Sequence, residues 1–189
     1  MSFTLKENDR QLLMQEVPEL YVPSDNHELR IKYEASKRGG TCGPSTIAVL
    51  EHTQVETIID CWCGWRAHWR GFSPIGEMKI TLSFLKYQFK YVRAHKAKTF
   101  PKPNGDAAIV RLQWLKDDGT EYYWAAAGAH THYVLMQKIR GEWWVFCNGA
   151  GWFMTDTAFA KEYIGNRGYV SSYLEISKPS FFLSGIDKI

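Results

Sequence analysis

The chain has 189 residues, of which 45% are hydrophobic and 23% are charged. This balance is typical of one globular domain with a sizeable core, and it excludes a disordered chain. The net charge of +3 is small and the basic residues are scattered, so we expect no nucleic-acid partner. No stretch reaches the roughly 18 consecutive apolar residues that a membrane span needs, so we expect no membrane partner.

The cysteine content and the N-terminus indicate the compartment. Residues 1–10 are polar and lack the apolar segment of a signal peptide. The chain has only 4 cysteines, too few for a disulfide framework at this length. We therefore expect a cytoplasmic protein with reduced thiols, and the small size favours a bacterial or phage accessory protein.

The N-terminal segment is predicted to be an appendage of a single domain. Its apolar spacing indicates an amphipathic helix over residues 4–16, which ends before Pro18 because the residue preceding a proline avoids the helical region. We place the helix and a following arm in residues 1–29 and the core of the domain in residues 30–176.

A glycine turn then delivers Cys42 to the start of an apolar helix that we expect to reach Thr53. Pro44 fits the first turn of this helix, where a missing N–H group does no harm. A sulfur at a helix N-terminus faces unpaired N–H groups and the positive end of the helix dipole, which favour the thiolate. The sequence therefore makes Cys42 a candidate nucleophile. The alternative is a small, buried apolar residue that opens a core helix.

The rest of the chain reads as helices followed by strands. A helical or irregular segment is predicted over residues 55–61 and a helix from a cap at Ser73 to Leu85, with an aromatic and basic loop over residues 62–72 between them. Apolar runs predict the strands, which cover residues 89–93, 107–115, 132–138, 142–147 and 169–176. This order indicates an α+β domain with an antiparallel sheet.

The third and fourth predicted strands form a hairpin. We expect a three-residue loop over residues 139–141, with Gly141 in a left-handed conformation. This loop pairs Lys138 with Glu142 as opposite charges across the strands.

That register sets His132 directly opposite Asn148. The amide oxygen would then accept a hydrogen bond from one ring nitrogen, and the other nitrogen could take a proton from the Cys42 thiol. This is the arrangement that nucleophilic catalysis needs. His130 lies on the same face but opposite Ala150, which offers no side-chain acceptor, so it ranks second. The alternative for His132 is a core histidine bonded to a carbonyl group.

Three motifs in this order resemble a known fold. A Cys-Gly-Pro-Ser motif from Cys42 opens a helix, a His-Tyr-Val-Leu motif from His132 opens a strand, and Asn148 follows the next strand. Together they resemble papain-like cysteine peptidases and are most similar to the bacteriocin-processing (double-glycine leader) peptidase branch. The resemblance covers about residues 30–155 and implies N-terminal helices, with the cysteine at a helix N-terminus, packed on a C-terminal antiparallel sheet.

The resemblance also implies roles for individual residues. Cys42 would be the nucleophile, His132 the general base and later the general acid, and Asn148 the residue that orients the imidazole. The backbone N–H of Cys42 would donate to the oxyanion. Such families usually supply a second donor from a glutamine, and Ser36 occupies that position here.

These observations favour a cysteine-dependent amide-bond hydrolase that acts through a Cys42 thioester and needs no cofactor or metal. Its substrate would be a peptide or another compound with an amide bond. Three tryptophans of the aromatic loop, Trp62, Trp65 and Trp69, are candidates for the wall of a substrate groove. Their alternative role is hydrophobic packing.

Three other functions remain open from the sequence. The same three residues could transfer the acyl group to an amine or a thiol, as an acyltransferase does. The missing glutamine favours a catalytically inactive papain-like domain that acts as a binding or inhibitor protein. A zinc-binding module is the third, although its Cys-x-Cys spacing is tighter than usual. The zinc ligands would be Cys61, Cys63, His68 and His52.

Overall fold

The computed structural model describes residues 40–63, 74–122, 130–139, 141–165 and 167–177. Within these ranges the chain forms four α-helices and one sheet of six strands. The helices are α1 (Cys42–Leu50), α2 (Val55–Cys63), α3 (Ile75–Phe84) and α4 (Ala158–Ile164). The strands are β1 (Gln88–Ala97), β2 (Ala107–Trp114), β3 (Thr131–Ile139), β4 (Glu142–Cys147), β5 (Gly151–Met154) and β6 (Gly168–Ser177).

The sheet has the strand order β1-β6-β2-β3-β4-β5, and every neighbouring pair is antiparallel. The predicted α+β class with an antiparallel sheet is therefore confirmed. Strand β3 lies inside the sheet between β2 and β4, and its residue His132 pairs with Leu112 of β2. None of the described helices is both long and apolar enough to cross a bilayer.

Each face of the sheet has its own hydrophobic core, because successive side chains of a strand point to opposite faces. What we call the first core lies under helices α1, α2 and α3, and its buried members include Ile47, Trp62, Leu82, Leu135 and Phe146. The second core lies under α4, and its buried members include Val134, Met136, Val145, Cys147 and Tyr163. The sheet is thus covered by helices on both faces.

The predicted elements agree with the structure over most of the described chain. The helix from Cys42 ends at Leu50, slightly before Thr53, and β1 is longer than the predicted strand. The sequence did not predict β5 and α4. Helix α4 has only 7 residues, too few for a clear apolar period. Its start carries a usable signal, since the Thr157 hydroxyl accepts a hydrogen bond from the Ala160 N–H at 3.1 Å. The helix predicted over residues 4–16 lies outside the described residues.

The hairpin register is shifted by one residue from the predicted one. Ile139 pairs with Glu142, and Lys138 pairs with Trp143, so the loop has two residues instead of three. Gly141 has a φ of +93°, the positive value expected for a glycine at this turn. Two-residue loops suit the natural twist of paired strands.

Burial explains why the predicted register is wrong. In the observed pairing Leu135 faces Phe146 within the first core, and Met136 faces Val145 within the second. A shift of one residue would send each side chain of one strand to the wrong face. A cross-strand charge pair contributes only about 0.2–1 kcal/mol, so it cannot compete with this burial.

Candidate active site

Helix α1 presents Cys42 and its first-turn N–H groups to the start of β3. The first hydrogen bond of this helix runs from the Ser45 N–H to the Thr41 carbonyl at 2.9 Å, so the N–H groups before Ser45 have no acceptor within the helix. Pro44 lies in this turn, where its missing N–H breaks no bond. The Gly43 N–H donates to the Cys42 sulfur, as expected for a thiol at a helix N-terminus.

The Cys42 thiol and the His132 imidazole share a side-chain hydrogen bond. Burial acts to raise the pKa of Cys42, but the hydrogen bond and positive charge of His132 outweigh it and lower that pKa below its ordinary value. The backbone N–H groups of Tyr133 and Gly43 add to the lowering. As a residue Cys42 is half-buried, whereas Cys147 is buried. The structure therefore brings together the two residues that nucleophilic catalysis requires.

The second partner of His132 is Cys147, the last residue of β4. The His132 Nε2 atom lies 3.3 Å from the Cys147 sulfur. Both residues lie on the sheet face of the second core, because the observed register brings the even-numbered side chains of β3 and the odd-numbered ones of β4 to that face.

Asn148 follows Cys147 and lies in the turn between β4 and β5. No hydrogen bond joins the side chains of His132 and Asn148, both of which the structure describes. Its predicted orienting role depended on the register that the structure does not have. Cys147 takes the position against the imidazole instead.

The Cys147 sulfur is surrounded by hydrogen-bond donors. The Tyr163 hydroxyl lies 3.2 Å from it, and the backbone N–H groups of Gly149 and Ala150 both donate to it at 3.4 Å. Burial acts to raise the pKa of Cys147, but the charge and hydrogen bond of His132, together with the hydrogen bonds of Tyr163 and Ala150, lower it to about 7. The lowered pKa favours the thiolate form of this enclosed sulfur.

His132 has the opposite shift. Burial acts to lower its pKa, but the negative charge of Cys147 and the hydrogen bonds to both sulfurs raise it to about 10. Burial and the charge of Cys147 raise the pKa of Tyr163 well above its ordinary value, so its hydroxyl keeps a proton that it can donate to the Cys147 sulfur. These shifts favour an imidazolium between the two sulfurs.

Aromatic rings hold the imidazole in place. His132 stacks on Trp114 with ring centroids 6.1 Å apart. Trp114 in turn meets the edge of Tyr163 at 5.6 Å. The ring plane of His132 is thus fixed by β2 and by α4 as well as by its own strand.

The other predicted site residues lie elsewhere. The ring of His130 stacks on Tyr122 with ring centroids 3.4 Å apart. The histidine ring that contacts the two sulfurs is that of His132. Trp62 is fully buried in the first core, and its indole N–H donates to the Thr81 hydroxyl. This placement agrees with the alternative role of hydrophobic packing. The remaining candidates, Ser36, Trp65 and Trp69, lie outside the described residues.

Two of the four candidate zinc ligands lie outside the described groups. His68 and the side chain of Cys63 are not among the described groups, while Cys61 is a half-buried free thiol on α2. The described ranges contain no group of three His, Cys, Asp or Glu side chains placed to hold a metal ion.

Sequence reasoning missed two residues of this site, Cys147 and Tyr163. The signal for Cys147 was present, since moving the hairpin by one residue brings it onto the face of His132. Tyr163 had no comparable signal, because its helix was not predicted.

A scan of the chain against protein-family models found no matching family, and a search of curated proteins found no match. Function is therefore inferred from the geometry and charges of the site.

Proposed function

We propose that the protein is a cysteine-dependent amide-bond hydrolase of the papain-like type, with Cys42 as nucleophile and His132 as the proton carrier. The observation that carries the proposal is the hydrogen bond between a helix-terminal thiol of lowered pKa and an imidazole on the adjoining strand. Cys42 is half-buried whereas Cys147 is buried, which supports Cys42 as the attacking sulfur.

The first half of the reaction forms a thioester. His132 Nε2 faces Cys147, so we assign the exchange of protons with Cys42 to Nδ1. The Cys42 thiolate attacks the amide carbon and a C–S bond forms. The backbone N–H of Cys42 is placed to donate to the oxyanion, because α1 gives it no acceptor. His132 then passes its proton to the leaving nitrogen as the C–N bond breaks.

The second half restores the enzyme. Neutral His132 takes a proton from a water molecule, whose oxygen attacks the thioester carbon. The C–S bond breaks, the acid product leaves, and the electron pair returns to the Cys42 sulfur. The imidazolium and the thiolate are then both restored.

The activated ester p-nitrophenyl acetate tests this proposal without knowledge of the natural substrate. We expect a burst of one equivalent of nitrophenol and an acetyl group on Cys42, located by intact mass and peptide mapping. Cys42→Ala should abolish the burst because it removes the thiol that shares a hydrogen bond with His132. Cys61→Ala, which removes a half-buried thiol on α2, is the matched control and should keep the burst.

Hydrolysis of amides is then measured on a mixture of unmodified peptides by labelling new N-termini. We expect new termini with the native chain and none with Cys42→Ala. An undiminished burst in Cys42→Ala, or acetylation at another residue, would overturn the proposal.

A further inference from the structure

Cys147 is a buried sulfur whose surroundings need an explanation of their own. Its exposed fraction is only 3%, whereas Cys42 is half-buried, so Cys147 is enclosed and unsuited to attack a substrate. It nevertheless contacts a ring nitrogen, a hydroxyl group and two backbone N–H groups within the described part of the chain. A sulfur that only filled space in the second core would need none of these partners.

The kind of partner indicates the charge of the sulfur. Backbone N–H groups can only donate, so Gly149 and Ala150 both require an acceptor. A neutral thiol is a weak acceptor and has a proton of its own to place. A thiolate accepts from all four groups and has no proton to place, and hydrogen bonds to a charged acceptor are the stronger kind.

We propose that Cys147, as a buried thiolate, is the residue that positions His132 and keeps it positively charged. The inference rests on the proposed roles of Cys42 and His132, and it assigns the third position of that site. In a catalytic triad this position is held by a carboxylate or an amide, which fixes the tautomer and orientation of the imidazole. Here the Cys147 sulfur accepts the Nε2 proton and so leaves Nδ1 to Cys42.

The fold anchors this sulfur from three separate elements. The end of β4 supplies the cysteine, the turn before β5 supplies the N–H groups of Gly149 and Ala150, and α4 supplies the Tyr163 hydroxyl. The negative charge is therefore held at a fixed distance from the imidazole. Asn148 is a neighbour in this turn and has no part in the contact.

The thiolate itself can be detected on a background without the nucleophile. In Cys42→Ala we expect the ultraviolet absorbance of one thiolate at about pH 8, since the pKa of Cys147 is lowered to about 7. The double variant with Cys147→Ser should lack it, while Cys61 and Cys63 contribute equally to both proteins. Equal absorbance of the two proteins at this pH would overturn the inference.

Two substitutions separate charge from shape. Cys147→Ser keeps the size of the side chain but is neutral, and Cys147→Asp keeps the negative charge. The proton affinity of His132 is measured in each variant from imidazole nitrogen chemical shifts. We expect the serine substitution to lower this affinity by tenfold or more and the aspartate substitution to preserve it. A serine variant that titrates like the native chain would contradict the inference.

Acetylation of Cys42 by p-nitrophenyl acetate is measured on the native chain in parallel. It distinguishes failure of the proposed hydrolase from failure of the proposed role of Cys147. If Cys42 is acetylated but Cys147→Ser leaves His132 unchanged, only the role of Cys147 falls. If the Cys147 thiolate is found but Cys42 is never acetylated, the proposed hydrolase falls and the charge pair stands.

Discussion

Replacing His132 with glutamine is expected to slow the alkylation of Cys42 by iodoacetamide at about pH 6.5 by roughly 10- to 100-fold. The reagent reacts with the thiolate, and the hydrogen bond and charge of His132 are what lower the pKa of Cys42 against the opposing effect of burial. Without them Cys42 should return to an ordinary thiol pKa of about 8.5 or above, at which about 1% or less is ionised at pH 6.5. The midpoint of the rate against pH should therefore move to higher pH.

The matched control is His130→Gln, which changes the histidine immediately before β3. Because His130 stacks on Tyr122 and its ring does not contact Cys42, its removal should leave the alkylation profile unchanged. Intact mass and peptide mapping identify Cys42 as the labelled residue. A loss of reactivity in His130→Gln, with none in His132→Gln, would reverse the assignment of the base.

Replacing Trp62 with alanine should lower the free energy of unfolding by about 3–5 kcal/mol. The indole is among the largest fully buried side chains, so its removal leaves a cavity between α2 and the rest of the first core. It also removes the hydrogen bond to the Thr81 hydroxyl. Urea denaturation measures the change, and the protein that remains folded should alkylate Cys42 at the native rate.

Trp62→Phe is the control because it keeps most of the buried volume. We expect a smaller loss, on the order of 1–3 kcal/mol, from the missing hydrogen bond and the smaller ring. The Thr81 hydroxyl still donates to the Glu77 carbonyl at 2.9 Å. If Trp62→Ala unfolded at the same urea concentration as the native chain, the side chain would have to lie on a groove wall instead of in the core.

The sequence was sufficient to pair Cys42 with His132. Each residue sits in a context whose chemistry can be read locally: a glycine turn before an apolar helix for the cysteine, and an alternating strand for the histidine. The long strands of the sheet were also predictable, since their apolar runs are bounded by turn residues such as Gly119, which has a φ of +78°.

The third member of the site could not be reached by the same route. The choice between Asn148 and Cys147 depends on one residue of hairpin register, and the charge pair of Lys138 with Glu142 was a weak guide to it. Burial on two opposite faces decided the register, and a sheet covered by helices on both sides was not foreseen. The Tyr163 contact depends on α4, whose 7 residues carry little periodic signal.

The most direct test of the charged site is a pH titration of the His132 imidazole in the native chain, followed by its nitrogen chemical shifts and assigned with His132→Gln. The negative charge of Cys147 and the hydrogen bonds to both sulfurs outweigh burial, so the ring should remain protonated at about pH 8 and lose its proton near a pKa of about 10. A ring that is neutral at about pH 8 and titrates near the ordinary pKa of about 6.5 would contradict the imidazolium between two sulfurs.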